Sequence, residues 1–249
     1  MQLPLWSESK RGTPNTFMRS ALFSAIQSKD RKWLKDEVIY SQKGITIKFR
    51  GEQLNQEDLT LWETLVHMAR NYPLSTECTF TAHSILRAMD MPTGGTQHKS
   101  LHSGIMRLAG CLVQITHEEK KYFGSLIIDG IKDEITDYYE ISLNSKLICL
   151  YGETQWTAIN WEQRLALRGK PLAQALHAFY SSHREPFPVK LETLRQLTGS
   201  RNKRKSGFKR LLKAALDELV GIGFLVGYEI DSDIVKVQRM KVAALPCSG

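Results

Sequence analysis

The chain has 249 residues, 42% of them hydrophobic, and 34 Lys and Arg against 26 Asp and Glu give a formal net charge of +8, so it can bury one large or two small cores and suits nucleic acid or an anionic membrane surface. No apolar run approaches the ~18–20 residues needed to span a bilayer and no charged-then-apolar leader is present, so membrane insertion is set aside. The four cysteines show no CxxC spacing, which fits a reducing cytoplasm and not a disulfide scaffold.

Directly after Met1 comes Gln2-Leu3-Pro4-Leu5-Trp6, too apolar for a random tail; such residues near a chain end either fold back or meet a partner. The polar stretch SESKRGTPN reads as a linker ending in Asn15, a candidate N-cap for a short helix with Phe17, Leu22, Phe23 and Ile26 on its apolar side. DEVIYSQKGITIKF alternates around Lys43-Gly44 and predicts a hairpin. Asn55 then opens a helix with Leu59, Trp62, Leu65, Val66 and Ala69 on one face, stopped by Pro73.

From here one pattern occurs twice. In the first copy a brief strand, CTF, leads to a Thr81-capped helix, a Gly-containing turn, a second helix TQHKSLHSGIMRLAG, and β-rich sequence. In the second, a long helix leads through PFPV to KLETLRQLTG, the basic helix NKRKSGFKRLLKAALDELVGIG, and two strands. Helix, short strand, helix, turn, helix, hairpin is the order of a winged helix. The expected fold class is therefore α+β, two tandem winged-helix domains at 15–151 and 152–249, preceded by a terminal motif and linker at 1–14.

Charge points to the same chemistry. Between Gly199 and Lys213, Arg201, Lys203, Arg204, Lys205, Lys209, Arg210 and Lys213 supply seven positives and no acid. The apolar stripe Phe208, Leu211, Leu212, Ala215, Leu216 and Leu219 pushes these cations outward, as on a helix that neutralises phosphates. Asn202 suits adenine, and Arg201 or Arg204 suits guanine. In the first copy Leu101, Ile105, Leu108 and Ala109 face inward, leaving Gln97 to read adenine, Lys99 and Arg107 to hold phosphate, and Ser103 and Gly104 small enough for close approach. Lys120 and Lys121 sit where a wing would turn and touch backbone phosphate.

Enzyme chemistry finds no support. TGGTQHKS lacks glycine at Thr93 and has His98 where a phosphate loop needs its second glycine, and there is no GxSxG. His98 and His102 lie four apart without a third ligand or a cysteine pair. Neither a catalytic residue, a metal nor a cofactor is expected.

The stretches LPLW, ALFSAIQ, FTAH, RLAGC with ITH, YFGSL, WTAINWEQRLALRGKPLA and EPFPVKLETLRQLTGSRNK resemble a TrfA-type plasmid replication initiator over about Leu3 to Arg239. The resemblance implies two winged-helix domains on directly repeated iteron sites, opening of an adjacent A+T-rich segment, recruitment of host initiator and helicase, and a monomer–dimer equilibrium. It also implies that Gln2, Leu3, Leu5 and Trp6 dock on the host sliding clamp, as a QLxLF-type pentapeptide does, with contact to single-stranded origin DNA as a secondary role. The competing expectation is a winged-helix transcriptional regulator that binds a palindrome as a dimer.

Overall fold

The computed structural model of the chain describes residues 3–71, 77–117 and 119–240. Strand β1 (Lys10–Pro14) runs into a single helical turn, α1 (Asn15–Met18). The short helix expected to carry Phe17 to Ile26 closes after this one turn, and Asn15 lies inside the turn without capping it. Its amide donates to the Thr154 carbonyl at 3.0 Å and its Oδ1 accepts from the Thr157 hydroxyl at 2.7 Å. Phe17, Leu22, Phe23 and Ile26 are nonetheless buried. The expected hairpin forms from β2 (Trp33–Ile39) and β3 (Ile45–Glu52), with Gly44 at φ +90°, which glycine adopts without strain. Asn55 opens α2 (Gln56–Ala69) with a capping box: its Oδ1 accepts from the Glu57 and Asp58 amides, and Asp58 accepts from its backbone N–H. The periodic face Leu59, Trp62, Leu65, Val66 and Ala69 is buried, while Pro73 lies outside the described residues.

Next come β4 (Cys78–Thr81), α3 (Ala82–Ala88), whose Ser84 amide is capped by the Thr81 hydroxyl, and α4 (Gly95–Gly110). β5 (Leu112–His117) and β6 (Lys120–Gly124) complete a four-stranded sheet of order β2-β3-β5-β6, whereas β7 (Ile127–Lys132) and β8 (Tyr138–Leu143) pair with β4 in the order β4-β8-β7. After β9 (Trp156–Asn160) and α5 (Trp161–Ala166), the second unit runs α6 (Pro171–Ser181), β10 (Val189–Lys190), α7 (Leu191–Leu197), α8 (Lys205–Gly221), β11 (Leu225–Asp231) and β12 (Ile234–Arg239), with sheet order β10-β12-β11.

The sheets β4-β8-β7 and β10-β12-β11 share one topology: the strand before the helix-turn-helix pairs with the second strand of the hairpin after it. The wing of the first unit is therefore the β7–β8 hairpin. Lys120 and Lys121 lie instead on the β5–β6 hairpin, in the separate sheet with β2 and β3.

One core runs from Leu3 to Tyr151 with Trp156 packed against it, and a second from Leu167 to Val237. β9 belongs with the first unit, because it pairs antiparallel with β1, Arg11 opposite Ile159 and Gly12 opposite Ala158. The stretch read as a linker thus contributes a strand, its backbone groups satisfied by β9. The units are joined through α5. Its Arg164 is fully buried, Nε 2.8 Å from Glu63 Oε2, and donates from Nη2 to the Gln56 carbonyl and the Thr60 hydroxyl, each at 3.0 Å. The Thr13 hydroxyl donates to the other Glu63 oxygen at 2.7 Å. A dry ion pair of this kind depends on such supporting hydrogen bonds to offset its desolvation, and it fixes the start of the second unit onto α2 and β1.

Candidate nucleic-acid interface

The second helix-turn-helix places its cations in two groups. α8 buries Phe208, Leu212, Ala215, Leu216 and Leu219. At 3.6 residues per turn that stripe puts Arg210 and Lys213 on the opposite, exposed side. Lys203 and Arg204 are exposed just before the helix. Among the described residues no ion pair or side-chain hydrogen bond engages these four cations. Leu211, expected in the buried stripe, is 43% exposed because it lines a groove between α8, the start of α6 and residues 25–30. The first turn of α8 carries neither an acid nor a side-chain cap, so its free N–H groups and dipole favour an anion there.

The remaining cations of the run are held by the protein. Lys205 pairs with Asp233, and Lys209 donates to the Ser232 carbonyl at 3.3 Å, so both tie α8 to the tip of its own wing. Arg201 reaches the first unit, donating to Gln53 Oε1 at 2.7 Å. Asn202 builds the turn: its Oδ1 accepts from the Arg204 amide at 3.1 Å, and a Cβ on Gly207 would come within 2.7 Å of its Nδ2. Glycine at position 207 is what lets Asn202 pack there.

In the first unit Leu101, Ile105 and Leu108 are buried and Ala109 half-buried, which leaves Lys99, Ser103 and Met106 exposed. Gln97 instead lines a cavity of about 140 Å³ with Leu61, Met91, Leu165 and Arg168, between this unit and the α5–α6 junction. Gly104 serves helix packing and not groove approach, since a Cβ there would sit 2.7 Å from Leu61 Cδ2 of α2. Arg107 is also internal: its Nε and Nη2 donate to Asp58 Oδ1 at 3.0 and 2.9 Å. Asp58 is buried and further accepts from Arg31 at 2.6 Å. The arginine expected on phosphate is thus spent on neutralising a carboxylate that caps α2.

The first wing differs in sign from what a phosphate contact needs. Its tip carries Asp133, Glu134 and Asp137, with Lys132 held between Glu134 and Asp137 and His98 of α4 3.4 Å from Asp137. Lys121 is exposed on β6, whereas the side chain of Lys120 and the whole of Gln2 lie outside the described residues. His102 meets the Tyr139 hydroxyl at 3.3 Å, and among the described residues no group of three His, Cys, Asp or Glu could hold a metal ion.

Near the start of the chain, Leu3 is 4% and Trp6 8% exposed, while Leu5 is 71% exposed. Trp6 donates from its indole Nε1 to His67 Nδ1 at 2.9 Å. Burial, reinforced by the nearby Arg11, pushes the His67 pKa down to about 4, and the neutral ring is the form that can accept this bond.

Other cations also serve the fold. Arg11 lies over the Trp161 ring at 4.4 Å, Arg19 donates to the Ser182 hydroxyl at 3.0 Å, and Arg239 donates to the carbonyls of Tyr180 and His183 at 3.0 and 2.9 Å. No local sequence signal marks these contacts, because Trp161, Ser182 and the carbonyls of Tyr180 and His183 lie far in sequence from the arginines that meet them.

A sequence profile described as "TrfA protein" matches residues 1–239. The chain is 27% identical over 254 residues to the plasmid replication initiator protein TrfA of Escherichia coli, a match covering 96% of this chain and 65% of that protein. It therefore spans about 65% of the length of that relative. Among solved structures, domains 2 and 3 of RctB share the fold at 13% identity with a TM-score of 0.61, covering 91% of this chain and 98% of that chain. The Pi initiator protein in complex with iteron DNA does so at 12% identity with a TM-score of 0.56, covering 81% of this chain and 100% of that chain. The arrangement is α+β, with tandem winged-helix domains.

Proposed function

Because this chain belongs to the TrfA protein family, we propose that it is a plasmid replication initiator that binds directly repeated iteron DNA as a monomer and opens an adjacent A+T-rich segment. The observation that carries the reading is the cluster of exposed, unengaged cations Lys203, Arg204, Arg210 and Lys213 around the start of a recognition helix. On α4, Lys99 and Ser103 occupy the corresponding outward side. Iteron binding by the Pi initiator, a structural neighbour, supports the ligand class.

The work is done by binding free energy, without nucleotide hydrolysis or bond cleavage. Cations neutralise phosphate and release counterions, the first turn of each second helix meets base edges, and deformation of the duplex supplies strain at the adjacent segment. The host initiator and helicase are recruited to the opened origin. Gln2, Leu3, Leu5 and Trp6 dock on the host sliding clamp, the two leucines and the aromatic ring filling an apolar pocket.

Fluorescence anisotropy at fixed salt, with a duplex of direct repeats and an equal-length scrambled duplex, tests the reading. Binding at least 1,000-fold tighter to repeats, in the ordinary range of specific over non-specific binding, is expected. Preference for a palindrome, with two chains per site, would assign the protein to transcriptional regulation instead.

A further inference from the structure

We propose that the Leu3–Trp6 segment has two mutually exclusive seats, a pocket on its own first unit and the sliding clamp, so that the folded chain holds its docking motif latched until the segment detaches. The inference rests on the clamp-docking reading above and concerns the regulation of that same site.

Residues that must fill a partner's pocket are already used. The Trp6 ring stacks on Tyr151 with centroids 6.2 Å apart at an interplanar angle of 14°, and is tilted against Trp156 at 5.7 Å. Its N–H is satisfied by His67, and Leu3 is packed into the first core. The seat is shaped for a large ring: a Cβ on Gly12 of β1 would come within 2.5 Å of two Trp6 ring carbons. One indole cannot occupy this site and a clamp pocket together, whereas the exposed Leu5 is free to make a first contact.

The latch can open without unfolding the unit. Trp6 precedes β1, whose pairing with β9 begins at Lys10. Between them, Glu8 bridges the Arg70 guanidinium and His67 Nε2, the latter at 3.0 Å, and the Lys10 amide donates to the Ser7 carbonyl at 3.0 Å. Release of residues 3–8 therefore breaks the seats of Leu3 and Trp6, one bridged carboxylate, the hydrogen bond from Arg11 to the Glu8 carbonyl at 2.8 Å and one turn, and leaves the β1–β9 ladder intact. Apparent affinity for the clamp is reduced by the fraction of chains that are open, and whatever weakens the seat raises it.

The test measures binding of a purified bacterial sliding clamp to the full chain, to a free peptide of residues 1–9, and to the full-length variants His67→Ala, Gly12→Ala and Trp6→Ala. His67→Ala removes the indole's acceptor, and Gly12→Ala crowds the ring out without altering the motif or His67. Unchanged repeat-DNA binding shows that each variant is folded. The expected result is a peptide that binds at least tenfold tighter than the full chain, with both latch variants moving toward the peptide and Trp6→Ala abolishing binding. Removing one hydrogen bond alone is worth up to about tenfold. If the peptide and the chain bind equally and neither latch variant changes affinity, the latch is refuted while clamp docking stands. If the peptide itself does not bind, both the docking reading and the latch built on it fall.

Discussion

Removing Arg210 and Lys213 together should flatten the salt dependence of duplex binding, whereas removing Lys205 and Lys209 together should flatten it much less. All four belong to one basic run, but Arg210 and Lys213 are exposed and unengaged, while Lys205 pairs with Asp233 and Lys209 donates to Ser232. Each phosphate neutralised contributes about 0.9 to the slope of log K against log salt, so Lys203, Arg204, Arg210 and Lys213 together contribute about 3.6. Between 50 and 200 mM salt their share amounts to a ~150-fold loss of affinity, which falls to ~12-fold when two of the four are gone. Anisotropy titrations of Arg210→Ala/Lys213→Ala and of Lys205→Ala/Lys209→Ala at four salt concentrations give the slopes directly. Equal slopes for the two double variants would refute the division of the run into solvent-facing and wing-holding cations.

Arg164→Met should destabilise the fold by about 3–5 kcal/mol, because it strips Glu63 of its buried cation in a site where burial already pushes the carboxyl above its ordinary range; thermal unfolding should show this, and Glu63→Met in the same chain should recover part of the loss. Gly104→Ala should cost about 1–3 kcal/mol through its clash with Leu61 and show in the same assay. Stability should fall in acid: burial lowers His67 from 6.5 to about 4 and His177 from 6.5 to about 3, so the unfolded chain binds protons that the folded chain refuses. That contribution is fully present above pH 6.5 and is lost as pH falls through about 4 and then 3; denaturant midpoints measured from pH 7 to 4 should decrease accordingly, less steeply in His177→Phe if that variant folds. Around His67 the groups that face it are Glu8, which opposes the shift, and Arg11 and Arg70, which reinforce it.

The elements that depend on local sequence were legible. Asn55 and Thr81 cap their helices, Gly44 turns its hairpin, and the apolar spacing of α2, α4 and α8 selects their buried faces, because caps, turns and periodicity are decided within a few residues. β1 was not legible: Lys10–Pro14 has the composition of a linker and becomes a strand only because β9 supplies its partner from the far side of the unit. The same limit hides the internal cations. Arg164 and its acceptor Gln56 are separated by 108 residues, and nothing near Arg107 announces that Asp58 will meet it. Counting basic residues therefore overstates the number of cations left facing solvent. The first wing was misplaced for a related reason, since two successive hairpins follow α4 and only the pairing of β8 with β4 tells which of them is the wing.

The central claim, that both second helices engage one repeat, is tested most directly by a hydroxyl-radical footprint on a duplex carrying a single repeat. Two separate stretches of backbone, each flanking one helix's groove, should be protected, with Lys99→Ala and Ser103→Ala weakening only one and Arg210→Ala and Lys213→Ala only the other. A single protected segment that responds to the α8 variants alone would contradict the account and leave the first unit without a place on the DNA.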